Sequence, residues 1–493
     1  MSHVSEEAPT SLQRPSAGRS EATTSSDGRV DMSRLIWLTI AILCVWAVTT
    51  SNPVTTLCAV LLLPIIAKLV WRRGEPPLLV FVCTMQWLQA SAAIFYANFY
   101  HASLVQAFGG VELEGATWLS LIGVLALAIG IRVAFIRAPA PQEDRHRSEA
   151  LSYSISELFV AYAFVYVISY ACAELAIRIP AVTQLLFAIT NVKWTMAFML
   201  LYSVSVQHRG YVFALAAVSV ELLSGILGYF AGFKGVFFVL LIVSLTSAAA
   251  LRGKRLLAIC GVAVALLMTG LIWTAVKSDY REFLTQGLRS QEVLVPVEDR
   301  VGKLQDLLSD FRWDQLGEAA EALTLRMSYV QYFALTMVNV PSSMPYEHGA
   351  LWAGALKHIA TPRMFFPGKA AVDDSERASL YTGMTVAGLE QGTSIGIGYM
   401  AESYVDFGPV LMFLPILLLG VFYGLIYRVF VINSRCALLG CGIATAILVF
   451  GGNAIETSNV KLIGGNVTAL LVLSAFYFTF GGPLRRWLGQ SDR

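Results

Sequence analysis

Residues 256–276 read LLAICGVAVALLMTGLIWTAV, an apolar run without a single charged side chain. An α-helix rises about 1.5 Å per residue and the hydrocarbon layer is about 30 Å thick, so about 20 apolar residues are needed to cross it. This run has that length. It predicts a membrane-spanning α-helix, because a helix satisfies its backbone hydrogen bonds internally where no water is present.

Comparable apolar runs recur along most of the chain. We therefore predict an all-α, polytopic integral membrane protein with about twelve transmembrane helices. The predicted spans lie at 34–51, 53–71, 77–99, 116–136, 157–177, 183–206, 210–231, 233–250, 256–276, 408–431, 436–453 and 463–480.

The composition of the 493 residues agrees with this class. Hydrophobic residues make up 56% of the chain and charged residues 14%, whereas soluble domains carry roughly 25% charged residues. This excludes a soluble enzyme, a disordered chain and a disulfide scaffold, because too few charges remain to cover a soluble surface. The formal net charge is only +2, so no nucleic acid partner is expected.

Lysine and arginine concentrate in every second short connection, namely after the second, fourth, sixth, eighth and tenth predicted spans. Since such charges remain in the cytoplasm, both termini are predicted to be cytoplasmic. No cleavable signal is expected before the first span. The predicted organisation is a disordered cytoplasmic tail (1–33), nine spans (34–276), a periplasmic loop (277–407), three spans (408–480) and a cytoplasmic tail (481–493).

The first half of the outer loop shows helical periodicity. Between residues 299 and 325 apolar and charged side chains fall on opposite faces, which predicts one or two amphipathic helices. Residues 327–340 are apolar but too short to cross a bilayer, so we expect them to tuck into the bundle from outside. Arg326 would then begin a helix in a partly desolvated place and need an anionic partner, either a protein carboxylate or a ligand phosphate.

The string PRMFFPGK at 362–369 combines basic and aromatic side chains at an interface. Arg363 and Lys369 suit either anchoring to lipid headgroups or binding a diphosphate. The following acids Asp373, Asp374 and Glu376 carry oxygen ligands for a divalent ion. Because exposed acidic clusters are usually solvated, and because no CxxC or HExxH spacing occurs, we predict no metal and no cofactor.

The stretch GTSIGIGYMAESYVDFG at 392–408 is the most informative. We expect a helix from about Tyr399 into the tenth span, with Glu402 and Asp406 on one face near the outer surface. Glu402 can take a proton from a hydroxyl nucleophile; alternatively it pairs with a basic residue of the loop. Glu390, His348 and His358 are further candidate bases, although a lone histidine is more often exposed or structurally satisfied.

Charged residues at the ends of spans complete the candidate site. Arg178 either pairs with Glu174, four residues earlier, or faces the outer compartment together with the loop. We predict that six basic residues converge on one outward cavity that holds a lipid-linked diphosphate: Arg178, Lys234, Arg326, Arg363, Lys369 and Arg377.

These features resemble the bacterial Wzy-type O-antigen and exopolysaccharide repeat-unit polymerases. The resemblance rests on about twelve spans with one late outer loop and on three strings: GFKG at 232–235, PRMFFPGK, and GTSIGIGYMAESYVDFG, of which the last is the most specific. It covers roughly residues 230–430 by motif and the rest by topology. Asp406 stands where the family pattern leads us to expect Asn, which weakens a separate catalytic role for Asp406.

The resemblance implies a GT-C-like glycosyltransferase of the inner membrane that works on the periplasmic side. It would transfer a growing glycan from undecaprenyl diphosphate to a fresh lipid-linked repeat unit, without a nucleotide sugar. Lys234, Arg326 and Arg363 would neutralise the diphosphate, assisted by Lys369, Arg178, Arg377 and Tyr399, and Glu402 would be the base, with His348 as a further catalytic candidate. Membrane lipid, a chain-length regulator and a flippase are the implied partners.

Three other functions remain open at this stage. An O-antigen ligase would share both the topology and the leaving group. A lipid-linked sugar transporter or flippase is expected to show paired halves with broken helices, and the sequence contains no internal repeat. A scaffold or sensor subunit would use the long loop only to hold partners.

Overall fold

A computed structural model describes residues 32–141, 145–229, 232–247, 253–288, 293–369, 372–388 and 393–489. Within these ranges the chain is all-α and no strand occurs, which confirms the predicted class. The candidate base Glu390, residues 1–31 of the predicted N-terminal tail and residues 490–493 of the predicted C-terminal tail lie outside the described residues.

Twenty-one α-helices follow one another along the described chain. They are α1 (Met32–Val48), α2 (Pro53–Val70), α3 (Leu78–Phe99), α4 (Leu104–Ala107), α5 (Leu113–Ala134), α6 (Arg145–Ser152), α7 (Ile155–Arg178), α8 (Thr183–Thr190), α9 (Val192–Gln207), α10 (Tyr211–Leu227), α11 (Lys234–Thr246), α12 (Gly253–Thr285), α13 (Val297–Ser309), α14 (Gln315–Met327), α15 (Val330–Asn339), α16 (Ala350–Ala360), α17 (Asp374–Thr382), α18 (Tyr399–Leu411), α19 (Phe413–Tyr427), α20 (Ala437–Gly451) and α21 (Asn459–Leu488).

Every predicted span falls on one of these helices or on a pair of them. Among the described residues, eight helical segments are long and apolar enough to cross a membrane. Four further apolar helices, α1, α10, α11 and α20, provide only 10–17 apolar residues each. At about 1.5 Å per residue such helices are shorter than the hydrocarbon layer. The structure thus supports a membrane protein with eight membrane-length helices.

One predicted span belongs to a longer helix, and one predicted helix is interrupted. The ninth span was expected to end at residue 276, yet α12 continues to Thr285 and carries its last two turns beyond the apolar run. The helix expected to run from Tyr399 into the tenth span is interrupted at Gly408, whose φ of 70° and ψ of −175° are not helical. Gly408 accepts this backbone because it has no Cβ, and Pro409 then begins the next helical segment without needing an amide donor.

The most extensive helix–helix contact joins α5 and α19. Glycines allow the two backbones to touch: a Cβ added at Gly420 would lie 2.2 Å from the carbonyl oxygen of Leu127, and one at Gly130 would lie 2.1 Å from that of Leu417. Small residues at such crossings are typical of helices packed in membranes, where close backbone approach replaces the hydrophobic driving force. This contact holds the centre of the bundle together.

The segment between α12 and α19 packs as six helices on the bundle. Two amphipathic helices, α13 and α14, are present where one or two were predicted. Helix α14 contacts both α12 and α3. The short apolar helix α15 contacts α3 and α5, as expected for a segment tucked into the bundle. Arg326 lies in the last turn of α14 and is exposed. The prediction of a desolvated helix start for Arg326 is therefore wrong, because α14 extends through the position where a break was expected.

Substituting Gly420→Ala is expected to lower the free energy of unfolding by about 1–3 kcal/mol, because the added methyl group must push α5 away from α19. Thermal unfolding of the purified protein in detergent measures this. The control is Gly270→Ala in α12, where an added Cβ meets no atom within 4 Å. Equal stability of the two variants would contradict the packing role of Gly420.

Candidate active site

The connection between α20 and α21 is fixed to α3 by two glutamines. Gln86 donates to the carbonyl oxygen of Gly452 (2.7 Å) and Gln89 accepts from the amide of Ile455 (2.9 Å). The fully buried Tyr399 donates its hydroxyl proton to the side-chain oxygen of Gln86 (2.7 Å). Tyr399, predicted to assist substrate binding, is thus a core residue that anchors the start of α18.

Gly398 brings the start of α18 against this connection. Its φ is +88°, and a Cβ there would lie 2.5 Å from the carbonyl oxygen of Ile455. The next amide, that of Tyr399, donates to the same oxygen at 3.3 Å. Only glycine combines this backbone conformation with such close approach. Gly398 therefore positions the start of α18.

This placement of α18 buries the side chain of Glu402 against the start of α21. Its side chain is 1% exposed, and its Oε2 accepts a hydrogen bond from the backbone amide of Asn459 at 2.7 Å. That amide lies at the first position of α21, where the helix dipole also favours a negative charge. The second oxygen, Oε1, lies 3.6 Å from Nη1 of Arg377. Of the two predictions left open for Glu402, the ion pair with a basic residue of the loop is present, and the catalytic role stays a prediction.

Burial nevertheless dominates the proton affinity of Glu402. Desolvation raises the pKa of Glu402 from its ordinary value of 4.5 to about 7, against the lowering effects of the Asn459 amide and the Arg377 charge. The nearby carboxylates of Asp374 and Asp406 raise the pKa further. A carboxyl group that titrates near neutral pH is suited to general base catalysis.

Asp374 forms a second buried carboxylate beside Glu402. It is 3% exposed and lies 2.7 Å from Nζ of Lys461, in the first turn of α21. Its neighbour Asp373 caps α17 by accepting from the amide of Ser375 at 2.9 Å. Asp373 and Asp374 thus have separate structural partners, and the described residues contain no group of three side chains that could hold a metal ion.

Four basic residues gather at the same end of the molecule; we call them the basic cluster. They are Lys234 at the start of α11, Lys277 and Arg281 one turn apart on α12, and Arg326 at the end of α14. The charges of Lys234, Lys277 and Arg281 each interact with that of Arg326. No carboxylate of the described chain lies within 4 Å of any of the four. Mutually repelling cations without a paired acid form a favourable place for an anion.

The sequence analysis found Lys234 and Arg326 but missed Lys277 and Arg281. Both missed residues lie beyond the end of the predicted ninth span, where the chain was treated as the start of a loop. The signal that could have found them is their spacing of four residues directly after an apolar helix, which predicts one shared helical face if the helix continues.

Tyr329 lies between the basic cluster and the carboxylates. Its hydroxyl donates to the carbonyl oxygen of Gly396, and its side chain interacts electrostatically with Arg326, Glu456 and Asp374. Burial, followed by the negative charges of Glu456 and Asp374, raises the pKa of Tyr329. The basic cluster and the buried carboxylates thus lie in one region of the structure.

Arg363 and Lys369 lie at the C-terminal end of α16. Lys369 donates from Nζ to the carbonyl oxygens of His358 and of Thr361 (2.9 Å), and Arg363 donates to the carbonyl oxygen of Lys369 at 3.3 Å. Burial and then the charges of Lys369, Arg363 and Arg377 lower the pKa of His358. Lys369 therefore caps a helix and Arg363 binds the backbone of Lys369, whereas Arg377 is the basic residue that lies beside Glu402.

The remaining predicted residues lie elsewhere. His348 is exposed in the left-handed conformation before α16, and Asp406 caps that helix by accepting from the amides of Leu351 (2.9 Å) and Trp352 (2.8 Å). Arg178 is exposed at the end of α7. Within the described residues, neither His348 nor Arg178 contacts Glu402, and no ion pair joins Arg178 to Glu174.

The raised pKa of Glu402 predicts a pH-dependent stability. Between pH 4.5 and about 7 the folded protein holds a proton on Glu402 that the unfolded chain has released, so the free energy of unfolding falls as pH rises through this window. Glu402→Gln, which still accepts from the Asn459 amide, is expected to remove about 3 kcal/mol of this fall.

Thermal unfolding in detergent from pH 4.5 to pH 8 measures this difference. The exposed Glu318→Gln is the control and is expected to keep the wild-type slope. An identical pH dependence in Glu402→Gln and in the wild type would refute the burial of an ionisable group at this position.

No curated protein and no solved structure matches the chain. One family model matches residues 111–454, and its description is a domain of unknown function, DUF8712. The match covers most of the chain and includes the basic cluster, Asp374, Arg377 and Glu402. The chain belongs to the DUF8712 family.

Proposed function

We propose that the protein is a polysaccharide polymerase, a membrane glycosyltransferase that joins oligosaccharide repeat units linked to undecaprenyl diphosphate. In this proposal the chain crosses the bacterial inner membrane about twelve times in a GT-C-like arrangement, with both termini in the cytoplasm. The candidate active site then faces the periplasm. The observation that carries the proposal is the buried Glu402 carboxyl beside Arg377, in the same region as four cations without paired acids.

In the proposed reaction Glu402 and the basic cluster have different roles. The hydroxyl oxygen of the acceptor sugar attacks the anomeric carbon of the donor glycan, whose bond to the diphosphate oxygen breaks. Glu402 takes the proton of the hydroxyl, which a carboxyl with a pKa near 7 can do at neutral pH. The departing diphosphate gains negative charge, and the basic cluster stabilises that charge. The reaction needs no nucleotide sugar and no redox partner.

The distribution of charge supports the placement at the outer surface. Lys and Arg are frequent in the connections assigned to the cytoplasm, whereas the basic cluster lies at the opposite ends of the spans. In the predicted topology Lys234 begins the eighth span on the outer side. Arg281 lies near the end of α12, whose first residues, 253–255, belong to the connection assigned to the cytoplasm. A diphosphate headgroup at the interface and a lipid tail between helices fit this position.

The resemblance to repeat-unit polymerases supports the same proposal. Glu402 lies in the most specific string, and its surroundings give it the proton affinity that a base requires. An O-antigen ligase would use the same donor chemistry with a different acceptor, so the product of the reaction distinguishes the two. A flippase would need no carboxyl beside the diphosphate-binding residues.

Four single substitutions are expected to stop chain elongation in cells that depend on this protein: Glu402→Gln, Arg326→Ala, Arg281→Ala and Arg363→Ala. Removing the base costs about 100-fold or more in rate, and removing a cation leaves the leaving-group charge unbalanced. The measurement is the length distribution of the glycan on gels, together with the amount of protein in the membrane.

The control is Arg312→Ala, because Arg312 is exposed and pairs with Asp314 (2.7 Å) outside the site. We expect it to give polymers of normal length, whereas the four site variants accumulate single repeat units on lipid. Normal polymers from all four site variants would contradict the proposed site. Intermediates trapped on the cytoplasmic side would favour a flippase, and polymer that fails to reach lipid A core would favour a ligase.

A further inference from the structure

The start of α21 contains an unusual number of buried polar atoms without hydrogen-bond partners. Ser458 and Asn459 are both 0% exposed, yet Oγ of Ser458 and both Oδ1 and Nδ2 of Asn459 are unpaired. Oδ1 of Asp374 and Nη1 of Arg377 are also without hydrogen bonds. Because unpaired buried polar groups cost free energy, this group of atoms indicates a site whose ligand supplies the missing partners.

These five atoms belong to one location. The Asn459 amide donates to Glu402, Arg377 lies 3.6 Å from the other oxygen of the same carboxylate, and Lys461 joins Asp374 to the first turn of α21. The residues that carry these atoms therefore contact Glu402 (Asn459 and Arg377), adjoin such a residue (Ser458) or carry a charge that acts on Glu402 (Asp374). We call Asp374, Arg377, Ser458 and Asn459 the polar set.

The chemistry of the polar set fits hydroxyl groups better than phosphate. A carboxylate oxygen accepts, a guanidinium donates, and an amide and a hydroxyl do both. Neighbouring sugar hydroxyls each donate and accept, so they can satisfy all of these atoms together. A phosphate would meet the carboxylates of Glu402 and Asp374 at close range, which is unfavourable, whereas the basic cluster offers it cations.

Two long side chains at this location are partly exposed, in contrast to the buried atoms of Ser458 and Asn459. The Arg377 side chain is 30% exposed and that of Lys461 is 45% exposed. Lys461 is held by Asp374 and by the hydroxyl of Ser394 (2.8 Å). A ligand of the polar set would enter beside these two side chains.

We propose that the polar set is the acceptor subsite, which binds the non-reducing sugar of the incoming repeat unit through its hydroxyls. This inference rests on the proposed function and adds the group that selects and orients the acceptor. The sugar hydroxyl nearest Asn459 then lies beside Glu402, which receives its proton. The diphosphates of donor and acceptor are left to the basic residues.

The test uses a saccharide without diphosphate, so that the basic cluster cannot contribute. The probe is the free oligosaccharide released by mild acid from the lipid-linked repeat units of the cells that contain the protein. Its binding to purified full-length protein in detergent is measured by calorimetry. Asn459→Ala keeps the backbone amide that holds Glu402, and it is expected to weaken binding at least tenfold.

Two matched variants make the result specific. Asn98→Ala removes a buried asparagine of α3, whose Nδ2 donates to Oγ1 of Thr56 (2.8 Å) and whose Oδ1 accepts from Nδ2 of Asn52 (2.8 Å), and it is expected to leave the affinity unchanged. Arg326→Ala is expected to keep oligosaccharide binding while weakening the binding of inorganic diphosphate.

Failure of the wild type to bind the oligosaccharide, or equal affinity in Asn459→Ala, would overturn the acceptor subsite. Neither result depends on catalysis. The elongation assay in cells judges the proposed function separately, so polymer formation without Asn459-dependent binding would reject this inference alone.

Discussion

The burial of one carboxyl group organises this end of the protein. Glu402 is buried away from water. A buried carboxyl group must either accept hydrogen bonds from nearby donors or stay protonated. The first amide of α21 supplies one donor, and Arg377 supplies a nearby charge. These partners can meet Glu402 only because Gly398 lets α18 touch the connection before α21, and because Gln86 fixes that connection to α3. The packing of α3, α18 and α21 thus positions the hydrogen-bond donor of the Glu402 carboxyl group.

The arrangement separates two kinds of charge that the proposed reaction needs. Cations gather where α11, α12 and α14 meet, whereas the carboxylates of Glu402 and Asp374 lie against α21. Tyr329 lies between the two groups and interacts with both. A site divided in this way can hold an anionic leaving group on one side and a neutral hydroxyl on the other. If the basic cluster lay directly against these carboxylates, the opposite charges would neutralise one another and the pKa of Glu402 would fall.

The sequence predicts the helices better than the site, for a physical reason. Apolar runs are local, so all twelve lie on helices, and eight helical segments of the described chain reach membrane length. Partners that are distant in sequence could not be seen: Asp406 caps α16, and Tyr399 binds Gln86 in the core. Lys277 and Arg281 were missed because charge was taken as the end of α12, although a helix can continue beyond the apolar layer. Glu402 was found because its string is specific.

The central claim is that burial at the start of α21 makes Glu402 titrate near neutral pH instead of near its ordinary value of 4.5. Infrared difference titration of the purified protein, comparing the wild type with Glu402→Gln, measures this directly through the carbonyl band of a protonated carboxyl. We predict a band that is present in the wild type, absent in the variant, and lost as pH rises through about 7. A wild-type band already lost near the ordinary value of 4.5 would contradict the account.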